Sequence, residues 1–175
     1  MVKKVAIALS CLVLGSTLNA SELTESEKFI GLEVGAAKIQ ADTLAGLDHK
    51  GDDVEFGFRL GAQNDSWRTM LVFDYFDSSE DDQNYEKGLL ELDYYLMNAE
   101  SETFSFRPFI GLNVGYMNYE STYIDENGFL YGGQAGFIVG VTQHVDFDVM
   151  YRYSFTNADQ TDHVESVVVG FNYFY

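Results

Sequence analysis

Cysteine, proline and positive charge are all scarce in this chain of 175 residues, which has one Cys, one Pro and ten Lys+Arg against 28 Asp+Glu. The cysteine, Cys11, lies within the first twenty residues, so a chain cut after them could form no disulfide and would have to hold its fold by other means. A formal charge of −18 repels phosphate backbones, so no nucleic-acid partner is expected. A spanning helix needs about 20 apolar residues; no such run and no sustained helical periodicity follow residue 20. What the chain does have is 14 Phe, 12 Tyr and 16 Gly, too many bulky and bend-forming residues for a solvated tail. The length suits one domain.

Residues 1–20 read as a signal peptide. Lys3 and Lys4 form a positive start, Val5 to Leu14 an apolar stretch, and Gly15 to Ala20 a small and polar exit with the cut expected after Ala20. The apolar stretch is too short to anchor the chain in a bilayer. Ala8-Leu9-Ser10 before Cys11 makes a poor lipoprotein processing site. Removing this segment takes away two lysines and no acid, leaving 8 basic against 28 acidic residues over 21–175.

Over 21–175 the recurring pattern is period-two alternation in runs of about ten residues, the length of a tilted membrane strand. Eight runs are read, near 28–39, 53–63, 67–77, 86–97, 103–117, 129–142, 145–154 and 164–175. In the second, Val54, Phe56, Phe58, Leu60 and Ala62 alternate with Glu55, Gly57, Arg59, Gly61 and Gln63; in the seventh, Val145, Phe147, Val149, Tyr151 and Tyr153 alternate with Asp146, Asp148, Met150, Arg152 and Ser154. Glycines recur on the second, less apolar face at intervals of four: Gly31/Gly35, Gly57/Gly61, Gly111/Gly115 and Gly132/Gly136/Gly140. Glycine weakens a strand unless that face is crowded, and the interior of a narrow eight-stranded barrel is crowded. Arg59, Arg68, Arg107 and Arg152 share this face, as do Glu33, Glu55, Asp74, Glu91, Asp93, Asp146 and Asp148.

A soluble carrier barrel, lipocalin-like, would point apolar side chains inward and charges outward. Here the polarity is reversed, as lipid outside the wall requires, because a charge facing lipid costs about 2–4 kcal/mol at the midplane. Backbone groups in lipid need internal partners, and a closed sheet supplies them without free edges. The fold expected is therefore all-β: an eight-stranded antiparallel up-and-down transmembrane β-barrel in the outer membrane of a Gram-negative bacterium.

The links alternate in length. Those after the second, fourth and sixth runs are short; those near 40–52, 78–85, 118–128 and 155–163 are longer. Short turns belong to the periplasmic side and long loops to the outside, which places both ends of the domain in the periplasm. Trp67, Phe104, Phe106, Tyr173 and Tyr175 would form the inner aromatic girdle, and Tyr75, Tyr116, Tyr151 and Tyr153 the outer one. The outer links carry much of the acid, most clearly Asp77-Ser78-Ser79-Glu80-Asp81-Asp82-Gln83-Asn84-Tyr85-Glu86. Such a block reads first as a solvated surface loop. A sharper expectation is a divalent cation bridging it to lipopolysaccharide, since hard cations prefer carboxylate oxygens.

The stretch RPFIGLNVGY (107–116), the segment Gln134-Ala135-Gly136, YRYSF (151–155) and the aromatic ending GFNYFY resemble the small outer-membrane barrels of the OmpA/OmpX and opacity-type surface-antigen group. The resemblance covers about residues 28–175 and implies a non-enzymatic structural or surface-interaction protein that displays acidic extracellular loops. It implies outer-membrane lipids and lipopolysaccharide as surroundings and an unknown extracellular ligand as a possible partner. Phe171, Tyr173 and Tyr175 resemble the family's C-terminal signal for the barrel-insertion machinery, with Tyr175 replacing the commoner terminal Phe.

For the charged face, a turn near 100 would place Asp93 opposite Arg107, and a loop centred near 46 would bring Glu33 close to Arg59. Arginine's planar fork suits carboxylate in a narrow lumen. The simplest role for these pairs is to plug the interior; the alternative is a narrow, porin-like, slightly cation-preferring path behind a salt-bridge gate, with seven acids against four arginines. An eight-stranded barrel is too narrow for a general diffusion pore.

Some barrels of this size modify lipid A, but no catalytic residue is expected here. His144 lies in a short turn, away from His49 and His163; His163 and Glu165 share one face and Ser166 the other, which hinders a Ser-His-acid relay. YRYSFTN is similar to the HYSN-like segment of lipid A deacylases, with Arg152 in place of the general-base histidine. His49, His163 and the loop carboxylates lack metal-site spacing, and no cofactor fingerprint is present: the glycine repeats are strand-spaced and open no helix.

Overall fold

A computed structural model of the chain describes residues 26–41, 51–78, 83–101, 104–120, 125–157 and 161–175. The expected signal, 1–20, lies outside them, as do His49 and residues 79–82 of the acidic block. The described chain forms strands β1 (Glu27–Ala41), β2 (Gly51–Gln63), β3 (Trp67–Ser78), β4 (Gln83–Tyr95), β5 (Ala99–Glu100), β6 (Ser105–Glu120), β7 (Asp125–Thr142), β8 (Val145–Thr156) and β9 (Thr161–Phe174).

Every pairing is antiparallel and β5 is only a two-residue spur on β6. The other eight strands close on themselves, through Leu32↔Phe171 and its neighbours between β1 and β9 and through Leu90↔Val114 and its neighbours between β4 and β6. The wall therefore has no edge strand at its middle, which is how a sheet satisfies its backbone in lipid.

Alternation in the sequence becomes alternation across the wall. Leu112, Phe56 and Leu32 stand outward at 68, 65 and 61 % exposure, whereas Arg59, Glu55 and Asn172 inside are fully sealed. Outward apolar side chains of this size would be costly in water at 1.5–3 kcal/mol each, by the usual order of magnitude. Trp67 packs on Tyr94 at 4.7 Å between ring centroids near the short-turn end, and Tyr131 on Phe155 at 5.7 Å near the other. Gly170 shows why the inner face needs glycine: a β-carbon there would fall 2.6 Å from Arg59 Cζ and 2.7 Å from Asp148 Oδ2.

At the long-link end the strands run further than the apolar alternation does. β7 begins at Asp125 and β6 continues to Glu120, and these two residues are paired. Backbone pairing needs no apolar face, so a hairpin can rise out of the lipid-facing band while keeping its ladder.

Candidate functional site

The lumen is packed with charge. Register brings β1, β2, β3, β4 and β8 to contribute Glu33, Glu55 and Arg59, Arg68 and Asp74, Glu91 and Asp93, and Asp146, Asp148 and Arg152, all buried. Asp148 Oδ2 is a meeting point: it accepts from Arg59 Nη1 at 2.7 Å, Asn172 Nδ2 at 2.9 Å and Arg68 Nη1 at 3.1 Å. Arg59 Nε also donates to Glu33, and Arg68 holds Asp93 Oδ2 through Nε at 2.9 Å and Nη2 at 2.8 Å. Arg152 is a second hub. Its Nη1 lies 3.1 Å from Glu33 Oε1, 3.3 Å from Asp74 Oδ2 and 3.9 Å from Glu55 Oε1, and its Nε 2.6 Å from Glu91 Oε1. Charge-assisted contacts of this kind are the strong ones in a dry interior.

Neutral side chains complete the web. Gln134 Nε2 donates to Asp93 Oδ1 at 2.8 Å and Glu91 Oε2 at 3.1 Å, while its own Oε1 accepts from Asn113, whose Oδ1 accepts from Ser154 Oγ. Apolar side chains lie towards both ends. On the short-turn side Phe29 meets Phe174 at 5.4 Å, and Phe109 lies under the Arg68 guanidinium at 4.8 Å; Leu89, Met117, Leu130 and Val164 occupy the long-link side.

The expected pairing of Asp93 with Arg107 is not what forms. Asp93 stands opposite Arg68 on one side and Gly111 on the other. Arg107, opposite Ile138 on β7, reaches Asp146 Oδ2 at 3.4 Å and covers the Tyr95 ring at 5.0 Å. The cause is the spur: Ala99 and Glu100 pair with Phe106 and Ser105, which moves the turn from about 100 to Ser101–Phe104 and shifts the register by an even number, so the faces are kept. Glu33 stands opposite Gly57 and reaches Arg59, two residues further along β2 on the same face.

Sequence reasoning missed Lys87. Its Nζ lies 2.6 Å from Glu55 Oε2 and 3.1 Å from Asp74 Oδ2, wholly inside the barrel. Parity was the available signal, since Lys87 lies an even number of residues before Glu91 and Asp93 on the same strand. Glu33, Glu55 and Asp74 bring carboxylate oxygens within 4.8 Å of one another, a spacing that a cation could use. Arg152 Nη1 and Lys87 Nζ already supply positive charge there, so the geometry gives no reason to assign a metal.

Ser154 and Ser166 are buried inside, whereas His163 and Glu165 are half-buried on the outer wall. His163 stacks on Tyr153 at 4.8 Å and Glu165 accepts from the Tyr151 hydroxyl. His144 stacks on Tyr173 at the opposite end. No relay of serine, histidine and acid is assembled among the described residues. Phe171, Tyr173 and Tyr175 form an outward row at the end of the chain.

A closed antiparallel sheet of eight long strands, apolar outside and charged within, defines the small transmembrane barrels of outer membranes. No protein-family model matches the sequence, and neither does any curated protein. Solved structures do match, at the level of fold. Neisserial surface protein A (NspA) superposes with a TM-score of 0.60 at 12% identity over 85% of this chain and 97% of that one. Outer membrane protein H (OprH) of P. aeruginosa gives 0.60 at 18% over 85% and 99%. Ail, the attachment invasion locus protein of Yersinia pestis, solved with the heparin analogue sucrose octasulfate, gives 0.50 at 16% over 86% and 100%.

Proposed function

We propose that this chain is a non-enzymatic barrel of the bacterial outer membrane, exported by residues 1–20, whose lumen is stoppered by its own side chains. On this reading its role is structural or one of surface interaction. The wall sits among outer-membrane lipids and lipopolysaccharide, and the acidic long links face the medium, where a partner would meet them.

The observation that carries this reading is the sealing of the charged centre. Arg59, Arg68 and Arg152 have side chains exposed by 0–2 % and are spent on carboxylates. A conducting path needs a continuous wet route with sites that bind weakly enough to release an ion. The surface-protein name of NspA and the attachment locus of Ail agree with a display role. The Ail ligand is not carried over, because a chain with 28 acidic and 10 basic residues repels a polysulfated sugar.

Planar-bilayer recording on the purified barrel tests the proposal. No resolved conductance is expected from the wild type or from Arg107→Ala, which opens only the short-turn mouth. Regular current steps from the wild type would overturn the stopper in favour of a narrow cation-preferring path, with seven lumen carboxylates against the four arginines and Lys87. An outer-membrane fraction whose band migrates identically before and after boiling would overturn the barrel assignment itself.

A further inference from the structure

Glu165 is an acid on the face that is otherwise apolar. It points outward from β9, half-buried, at the head of the outward row Val167, Val169 and Phe171, and it stands opposite Tyr153 on β8. The lumen guanidinium groups lie on the other side of the sheet and cannot serve it. A carboxylate near the margin of the lipid band costs less than a charge at the midplane, but it still draws a counter-charge.

Its neighbours narrow the choice of that charge. Glu165 Oε2 accepts from the Tyr151 hydroxyl, which draws the carboxylate towards β8. Lys38 holds the position opposite Glu165 on β1, on the other side of β9, so the carboxylate leans away from that strand. The His163 ring lies flat on Tyr153, with centroids 4.8 Å apart and planes 21° apart, and Tyr153 meets Phe155 edge-on at 5.1 Å. One carboxylate and two phenols thus face outward together on adjacent strands, and the Tyr151 ring is 45 % exposed. Aromatic faces attract a cation and a carboxylate accepts its N–H groups, whereas a phosphate is repelled here.

We propose that Glu165, with Tyr151 and Tyr153 beside it, binds the primary-ammonium headgroup of a membrane lipid, whose acyl chains run down the wall over Val167 and Val169. The proposal rests on the reading of the chain as a membrane barrel. A primary ammonium has three N–H donors for the carboxylate and the phenol oxygens, and a quaternary one has none. The site therefore prefers an ethanolamine headgroup to a choline headgroup.

Single-tryptophan quenching tests this. In a Trp67→Phe background, Val169→Trp reports on lipid below the site and Leu90→Trp on lipid at β4, across the barrel from β9. Each is folded into mixed vesicles of phosphatidylethanolamine and phosphatidylcholine, with bromine on the acyl chains of one lipid or the other. At Val169→Trp the brominated phosphatidylethanolamine is expected to quench more, as a relative association about two- to fivefold above phosphatidylcholine. Leu90→Trp should show no preference, Glu165→Gln should abolish the one at Val169→Trp, and Lys38→Gln should leave it in place. Equal quenching by the two lipids at Val169→Trp, or a preference that survives Glu165→Gln, would overturn the site. A preference seen only once Lys38→Gln is added would also overturn it, because the chain's own lysine would then be the counter-charge. If neither reporter is quenched by either lipid, the membrane-barrel reading fails, and the site with it.

Discussion

Lys87 Nζ sits 2.6 Å from Glu55 Oε2 with neither side chain open to solvent, a buried ion pair that bridges β4 to β2 across the lumen. Such a pair is poor evidence of net stability, because stripping water from both ions costs several kcal/mol. It is strong evidence of what happens when one partner is lost.

Lys87→Met should therefore destabilise the folded barrel by about 3–5 kcal/mol, leaving Glu55 and Asp74 short of a counter-charge. Urea titration in lipid vesicles, followed by heat-modifiable gel mobility, would measure it. Lys87→Met combined with Glu55→Gln should recover part of the loss, since the charge left over is then removed. A single variant as stable as the wild type would show that water reaches this pair.

Gly170→Ala should lower stability by roughly 1–3 kcal/mol, because its methyl group would enter the space of Arg59 Cζ and Asp148 Oδ2. Gly88→Ala is the matched control. Its β-carbon would lie 3.8 Å from the Phe73 ring, an ordinary contact, and the unfolding midpoint should not move.

Leu112→Arg separates a lipid-facing wall from a water-facing one. Leu112 is 68 % exposed, so in water the change would be harmless. Facing acyl chains it should cost about 2–4 kcal/mol, seen as a lower folded fraction in vesicles at a fixed urea concentration.

Expression should leave lipid A unchanged. Ser154 Oγ is committed to Asn113 inside the barrel, where it cannot reach a lipid outside the wall, and Arg152, held by four carboxylates, has no lone pair with which to act as its base. Mass spectra of lipid A with and without the protein should show the same acyl chains, and a missing chain would contradict this.

Much of this architecture is legible in the chain because lipid on one side and a narrow lumen on the other leave period two as the only workable pattern. Parity alone sends Arg59, Asp148 and Gly170 inward, whatever the register. Register is another matter. The Ala99–Glu100 spur is too short to leave a pattern, yet with it Arg107 falls four residues from the position opposite Asp93, which is paired with Arg68 across the separate β3–β4 ladder. Lys87 was within reach of the same parity rule, but it stands at the head of its run beside the acidic block, where a lysine reads as a solvated loop residue. The hubs at Asp148 and Arg152 depend on side-chain reach across the lumen, which no one-dimensional spacing encodes.

Asp148 ties Arg59 and Arg68 to a strand 89 and 80 positions later in the chain. Arg152 reaches back 119 positions to Glu33. Both hubs lie on the penultimate strand, so every hairpin made before it carries guanidinium or carboxylate groups still waiting for a counterpart. A partly built sheet would have to drag those naked ions into oil. Assembly is thereby pushed towards a single concerted event, in which the last hairpin swings in, neutralises the middle and seals the seam with the first strand.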